Sequence, residues 1–308
     1  MKIGYIKPSF KGENRVGLLP QHLEYCHPED ERRFEKEYGT SLGIADENYG
    51  KASGYSRESL FEWADVIYSI KVPQPSDYEL FREEQSLVGW IHPFGASGQH
   101  FLANCGQLNK LWFFDITNCI STRHHNKKTE TLKVPRDITR KNSIIAGYAS
   151  VRHAIMLRGG ITQNDQVALF GTGNIAFGVC KYLSSLGIEP LLRRRSNISF
   201  LKHEFENLDI FINCVEIAGG DDPIVTYEML ASMKPSGWII DAAADTGRAI
   251  LGTRATKIHD PTYQDEQGHT FYVVDNSSSL LYRESSEVVF CQTYCDVLGC
   301  RGRPACLP

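Results

Sequence analysis

The sequence predicts an α/β protein of two domains from three observations: its length, an alternation of apolar runs with helical patterns, and a glycine-rich turn set between a strand and a helix. At 308 residues the chain exceeds what one core usually fills, since single cores stop growing near ~250 to 300 residues. Hydrophobic residues form 42% and charged residues 23%, the proportions of a chain that buries a core rather than of a disordered or fibrous one. The formal net charge of −4 provides no broad basic field for nucleic acid or anionic membrane. No apolar run approaches the ~20 residues that cross a bilayer, and Lys2 to Ile6 open directly into a strand-like pattern. A cytoplasmic protein with small-molecule partners, working as a homo-oligomer, is the expectation.

Strand patterns in the first half fall at 3–7, 66–72, 86–91 and 111–115, joined by polar helical stretches, so that residues 1–141 form one α/β domain. Small and apolar residues through 142–157 predict a long connecting helix, which Gly159 and Gly160 stop. Strands then recur at 166–170, 189–192, 209–215, 237–241 and 270–274. Their starts lie ~20 to 30 residues apart, the length of a strand with its crossover helix, so residues 142–278 read as a doubly wound parallel sheet. The helical pattern at 280–298 predicts that residues 279–308 return to pack on the first domain. A cleft between the two domains is then the default ligand site.

Nine cysteines are present. Cys26, Cys105, Cys119, Cys180 and Cys214 are scattered and read as reduced core thiols. Cys291, Cys295, Cys300 and Cys306 have spacings that match no common zinc pattern. His124 and His125 fall in a stretch, 124–128, that reads as a polar surface loop with no third ligand nearby, so no metal is expected.

Val167-Ala168-Leu169-Phe170 has the pattern of a buried strand, and Gly171-Thr172-Gly173-Asn174-Ile175-Ala176 follows it as G-x-G-x-x-A before a helix. Gly171 permits the tight turn, Gly173 lets backbone approach a pyrophosphate, and Ala176 is small enough for close helix packing. The helix that opens at Asn174 turns its amino terminus to the phosphates. A dinucleotide site of the Rossmann type follows. About 20 residues on, where NAD-specific sites carry an acidic residue for the ribose 2′-hydroxyl, stand Arg193, Arg194 and Arg195. Guanidinium groups suit a 2′-phosphate by charge and by paired hydrogen bonds. NADPH is the expected cofactor, held by Arg193 and Arg194, with a solvated basic turn as the alternative reading. Asn276, after the final strand, is expected near the nicotinamide amide.

Glu13-Asn14-Arg15-Val16 after the first strand, Lys71 within Ser69-Ile70-Lys71-Val72-Pro73, and Asp241-Ala242-Ala243-Ala244-Asp245 resemble the alanine dehydrogenase and transhydrogenase superfamily, whose circle includes saccharopine dehydrogenases. Gly89 to Gly95, Lys141-Asn142-Ser143 with Ala146 to Ala149, Gly219 to Ile224 and Ser279 to Arg283 are similar to its N5-(carboxyethyl)ornithine synthase branch. The likeness runs from Met1 to about Val288. It implies a substrate domain followed by a cofactor domain, and NADPH-dependent reduction of the imine formed between a 2-oxo acid and an amino acid.

Such chemistry needs a carboxylate anchor, a proton donor near the nitrogen, and a nicotinamide over the carbon. Arg15 is the first choice of anchor, with a surface salt bridge to Glu13 as its other reading. Lys71, at a strand end, is placed to hold the carboxylate or polarise the carbonyl; otherwise it is a snorkelling surface lysine. His92, with an intrinsic pKa near ~6.5, is the natural proton shuttle at neutral pH, and a satisfied structural histidine is its plain alternative. The resemblance assigns Asp245 a place beside the histidine and the amine. Glu216, Asp221 and Asp222 are candidates for a substrate ammonium, and Arg248 or Arg283 for a second carboxylate. Two other functions compete: an alanine dehydrogenase that uses ammonia, and a noncatalytic NADPH-binding regulator or altered chemistry in a specialised pathway.

Overall fold

The computed structural model describes residues 1–26, 28–93, 95–115, 121–125, 128–132, 137–217, 221–244 and 248–292. They divide into two compact units, Met1–Thr139 with the chain from Tyr282 on, and Arg140–Leu281.

In the first unit the strands are β1 (Lys2–Tyr5), β2 (Glu31–Phe34), β3 (Val66–Lys71), β4 (Ser86–Trp90) and β5 (Trp112–Asp115). All five run parallel. β6 (Ser121–His125) and β7 (Lys128–Leu132) extend the sheet antiparallel, in the order β2-β1-β3-β4-β5-β6-β7. β3 is buried almost from end to end, as expected of a parallel strand covered on both faces. α1 (Arg57–Trp63) starts where the Ser56 hydroxyl accepts the Ser59 N–H at 3.2 Å, and it buries Leu60 and Phe61 against Ile67 and Phe113. α2 (Ala96–Phe101) follows β4. On the opposite face Tyr5, Phe34, Tyr38, Tyr49 and Tyr68 form an aromatic cluster, with Tyr5 stacked on Phe34 at 4.8 Å.

Two expectations change here. Residues 124–128, read as a polar loop, contribute His124 and His125 to β6 and Lys128 to β7. Thr122, Thr129 and Thr131 supply β-branched residues to a hairpin whose other residues, Leu132 apart, are polar. β2 escaped notice because Glu31-Arg32-Arg33 is charged. It is an edge strand, where charge is common, and the Arg33 guanidinium lies 4.2 Å over the Trp63 ring and 4.5 Å over Tyr55.

α3 (Asp137–Arg158) leads into the second unit, to which its residues from Arg140 on belong. There follow β8 (Val167–Phe170), α4 (Asn174–Ser185), β9 (Leu191–Arg193), α5 (Ile198–Glu204), β10 (Ile210–Asn213), α6 (Tyr227–Ser232), β11 (Trp238–Asp241), β12 (Thr262–Gln264) and β13 (Thr270–Tyr272). The sheet order is β12-β13-β11-β10-β8-β9, parallel throughout except for β12. α7 (Tyr282–Gln292) then rejoins the first unit. β1 lies between β2 and β3, and β8 between β9 and β10, so each sheet reverses its strand order there. Open α/β sheets bind ligands beyond the carboxyl ends of the strands at such points. Among the described residues no helix is long and apolar enough to cross a membrane.

The helix before the cofactor turn packs backbone to backbone against the helix after it. A Cβ on Gly178 would stand 2.0 Å from the Ile144 carbonyl oxygen, and one on Gly147 would stand 2.1 Å from that of Ile175. Gly178→Ala must therefore push α3 from α4, at a cost of about 1–3 kcal/mol. We expect its urea midpoint to fall at unchanged m-value, whereas Gly173→Ala, with nothing within 4 Å of the added carbon, leaves the midpoint near the parent's.

Candidate active site

The loop after β1 takes Arg15 out of water: the residue is 1% exposed. Its Nε donates to Glu13 Oε1 at 2.8 Å and its Nη2 to Glu13 Oε2 at 2.6 Å, a two-pronged pair, while the Arg15 N–H donates to Glu13 Oε1 at 2.9 Å. Arg15 is thus no surface residue, but its partner is the one that the surface reading named. The guanidinium also lies 5.4 Å over the Trp90 ring. The following residues are tied down from two sides. Val16 N–H donates to the Ser286 hydroxyl of α7 at 3.0 Å, and Gly17 N–H to the Tyr38 hydroxyl at 2.8 Å.

Lys71 ends β3, half-buried, with its ammonium 5.8 Å over the Phe10 ring. The β3–β4 register shifts between Tyr68 and Lys71. Gly89 permits that irregularity, because a Cβ there would lie 1.8 Å from the Ser69 carbonyl oxygen. His92 stands just beyond β4 at φ 51°, a conformation costly for a non-glycine residue and concentrated at functional sites. Its neighbours hold it so. Ile91 N–H donates to the buried Asp115 carboxylate at 2.9 Å, and the His92 carbonyl accepts from Gly95 N–H at 2.9 Å. Gly98 of α2 leaves room for that carbonyl, which a Cβ would approach to 2.0 Å.

These groups share one electrostatic field. Burial alone would lift the Glu13 carboxyl, but the charge and hydrogen bonds of Arg15, with the charge of Lys71, outweigh it and hold the group at about 2. Burial, then the positive charges of Lys71 and Arg15, push the His92 imidazole down to about 4. That differs from the ordinary value expected from sequence: the ring is neutral at pH 7, an acceptor of protons before it is a donor.

In the second unit Gly171 turns at φ 117°, with Cys214 and Val215 against the place where a Cβ would be. Gly173 and Asn174 are exposed at the start of α4, Ala176 is buried, and no side chain caps the helix N-terminus. Open space at Gly173 and free-facing N–H groups fit a dinucleotide pyrophosphate. Arg193 ends β9, and its carbonyl accepts the Gly171 N–H at 2.9 Å. Its guanidinium is engaged by Glu204, while Arg194 is exposed. Asn276 is buried in the turn beyond β13, where its carbonyl accepts the Ser279 N–H at 3.0 Å.

Asp245 lies outside the described residues, as do Gly219, Gly220, Cys119, Cys295, Cys300 and Cys306. Glu216, Asp221, Asp222 and Arg248 are exposed in the second unit and Arg283 in the first. Cys26, Cys105 and Cys214 are buried. Among the described residues no group of three or more His, Cys, Asp or Glu is placed to hold a metal. Sequence reasoning treated Glu13 only as a rival partner for Arg15, and it missed Trp90, Tyr38, Ser286 and Glu204 as supports. Only Glu13, two residues from Arg15, left a local signal.

The family model for the N-terminal domain of alanine dehydrogenase/PNT matches residues 6–109, and that for the C-terminal domain matches residues 145–298. An N(5)-(carboxyethyl)ornithine synthase of Clostridium botulinum is 38% identical over 94% of this chain and 91% of its own. The chain belongs to the alanine dehydrogenase/PNT family. It is a dehydrogenase-type oxidoreductase of that family. Alanine dehydrogenase 1 of Staphylococcus aureus is more distant, 27% identical over 93% of this chain and 84% of its own. A solved L-alanine dehydrogenase superposes with a TM-score of 0.72 at 21% identity, over 94% of this chain and 86% of that one, and bears out a two-domain α/β fold.

For this family member the His92 ring offers a direct test. Its NMR titration should have a midpoint near 4, and Lys71→Met, which removes the larger of the two cationic contributions, should move it toward the ordinary histidine value near ~6.5. Since the folded value is the lower one, the folded state gains from a neutral His92 at pH above ~6.5, and loses that stability as pH falls toward 4.

Proposed function

We propose that the chain joins a 2-oxo acid, pyruvate, to the side-chain amine of ornithine or lysine with NADPH as reductant, giving an N-(1-carboxyethyl) amino acid. The observation that carries this reading is the Glu13–Arg15–Lys71–His92 cluster, in which the charges of Lys71 and Arg15 bear on a neutral imidazole. The name of the relative at 38% identity supports the choice of amine. We take the partners to be small molecules and the compartment to be the cytoplasm, with the chain working as a homo-oligomer.

Glu13 claims the Nε and Nη2 edge of Arg15, so Lys71, half-buried at the end of β3, meets the oxo-acid carboxylate and Arg15 backs it with its charge. An ammonium must lose a proton before it attacks a carbonyl. His92, neutral at pH 7, accepts it once the bound oxo-acid carboxylate offsets the charges of Lys71 and Arg15 that otherwise disfavour the protonated ring. The protonated ring then returns the proton to the hydroxyl of the adduct, which leaves as water. When bound, NADPH would supply the hydride for the imine carbon. Gly171, Gly173, Asn174 and Ala176 would hold its pyrophosphate, the basic run that begins where β9 ends would hold the 2′-phosphate, and Asn276 would meet the nicotinamide amide. Asp245 pairs with the substrate amine. A Lys71→Met variant lacks the accessible half of the anchor.

The reading is tested by mixing purified protein, NADPH and pyruvate with ornithine, lysine or ammonia, following nicotinamide absorbance and product mass. Ornithine or lysine should support turnover; turnover with ammonia alone makes this an alanine dehydrogenase, and none with any amine overturns the reductase. His92→Ala should lower turnover by roughly 10²- to 10⁴-fold while NADPH binding persists. Lys71→Met should raise the KM for pyruvate more than it lowers kcat.

A further inference from the structure

Three consecutive arginines follow the second strand of the cofactor unit, and the structure gives them different work. Arg193 has its guanidinium committed on all three nitrogens. Nε donates to Glu204 Oε2 at 2.8 Å, Nη2 to Glu204 Oε1, and Nη1 to the Leu192 carbonyl at 3.0 Å. The two side chains are only 19% and 25% exposed. A phosphate dianion arriving there meets a neutralised pair with a carboxylate inside it. Meanwhile the Arg193 carbonyl accepts the N–H of Gly171, first glycine of the cofactor turn. Arg193 and Glu204 thus strap the end of β9 to α5 and to that turn.

Arg195 is 70% exposed and faces Asp221 at 3.8 Å, beyond hydrogen-bond length but close enough to offset its charge. Arg194 makes no ion pair among the described residues. Its main chain is nevertheless fixed, for its N–H donates to Asn197 Oδ1 at 2.6 Å and its carbonyl accepts the Asn197 N–H at 3.0 Å. An anchored backbone bearing an uncommitted guanidinium, one residue past the strand end, is the arrangement a 2′-phosphate requires.

We propose that Arg194 alone of the three reads the 2′-phosphate, and that Arg193 with Glu204 is a brace that positions it. The proposal rests on the NADPH reading above and assigns its specificity to one residue. Calorimetric titration of the full chain with NADP⁺ and with NAD⁺ tests it without recourse to turnover. The parent should favour NADP⁺. R194A, at an exposed site, should weaken NADP⁺ by about ten- to one-hundred-fold and leave NAD⁺ within about two-fold of the parent, as surface substitutions usually do. R195A should keep the parent's ratio. R193A should lower the melting temperature, which R194A leaves unchanged, and should weaken both cofactors alike. A selective parent whose ratio survives R194A, or collapses only in R193A or R195A, overturns the proposal and leaves the NADPH reading standing. A parent that prefers NAD⁺ overturns the NADPH reading itself.

Discussion

A guanidinium leaves water only in the company of a carboxylate, and the buried pair of Arg15 with Glu13 is the constraint on which the first unit depends. The desolvation of two ions costs several kcal/mol each, and only near-ideal geometry offsets it. Here the geometry is two-pronged, and the main-chain N–H of Arg15 binds the same carboxylate, so side chain and backbone lock together. What surrounds the pair serves that lock. Trp90 covers the guanidinium, and Tyr38 and Ser286 hold the two residues that follow. With the pair fixed, the Arg15 charge joins burial and the charge of Lys71 in keeping the His92 ring neutral.

Both units solve the same mechanical problem at the same place. Each has its candidate site beyond the carboxyl ends of its parallel strands, and there backbone must pass closer to backbone than a side chain allows. Gly89 and Gly98 serve this need around His92, as Gly171 does at the cofactor turn. The strain that remains in the first unit falls on His92 itself, at φ 51°, and the hydrogen bonds of Ile91 and Gly95 offset it.

Much of this was legible in the chain and some was not. Buried parallel strands such as Val167–Phe170 are continuous apolar runs, so composition marks them. Edge strands such as Glu31–Phe34 and the hairpin at residues 121–132 carry polar side chains and depend on neighbours that are distant in sequence. Lys71 ends β3 and His92 lies just beyond β4, positions that periodicity locates well, whereas Arg15 lies far along the loop after β1. Their shared field is another matter, since the displacement of the histidine arises from burial and from cations 77 and 21 positions away. Likewise three arginines in a row are identical to the reader of a sequence, and Glu204 and Asp221, which face Arg193 and Arg195, tell them apart.

The first unit is discontinuous along the chain, with the whole of Arg140–Leu281 lying between its main part and α7. Synthesis on the ribosome proceeds from the amino terminus, so the second unit emerges entire while the first still lacks the serine that supports its anchor loop. The half whose translation begins first is therefore the half that matures last, and a chain arrested before Tyr282 would carry a finished second unit and, in the first, an Arg15 loop without its brace.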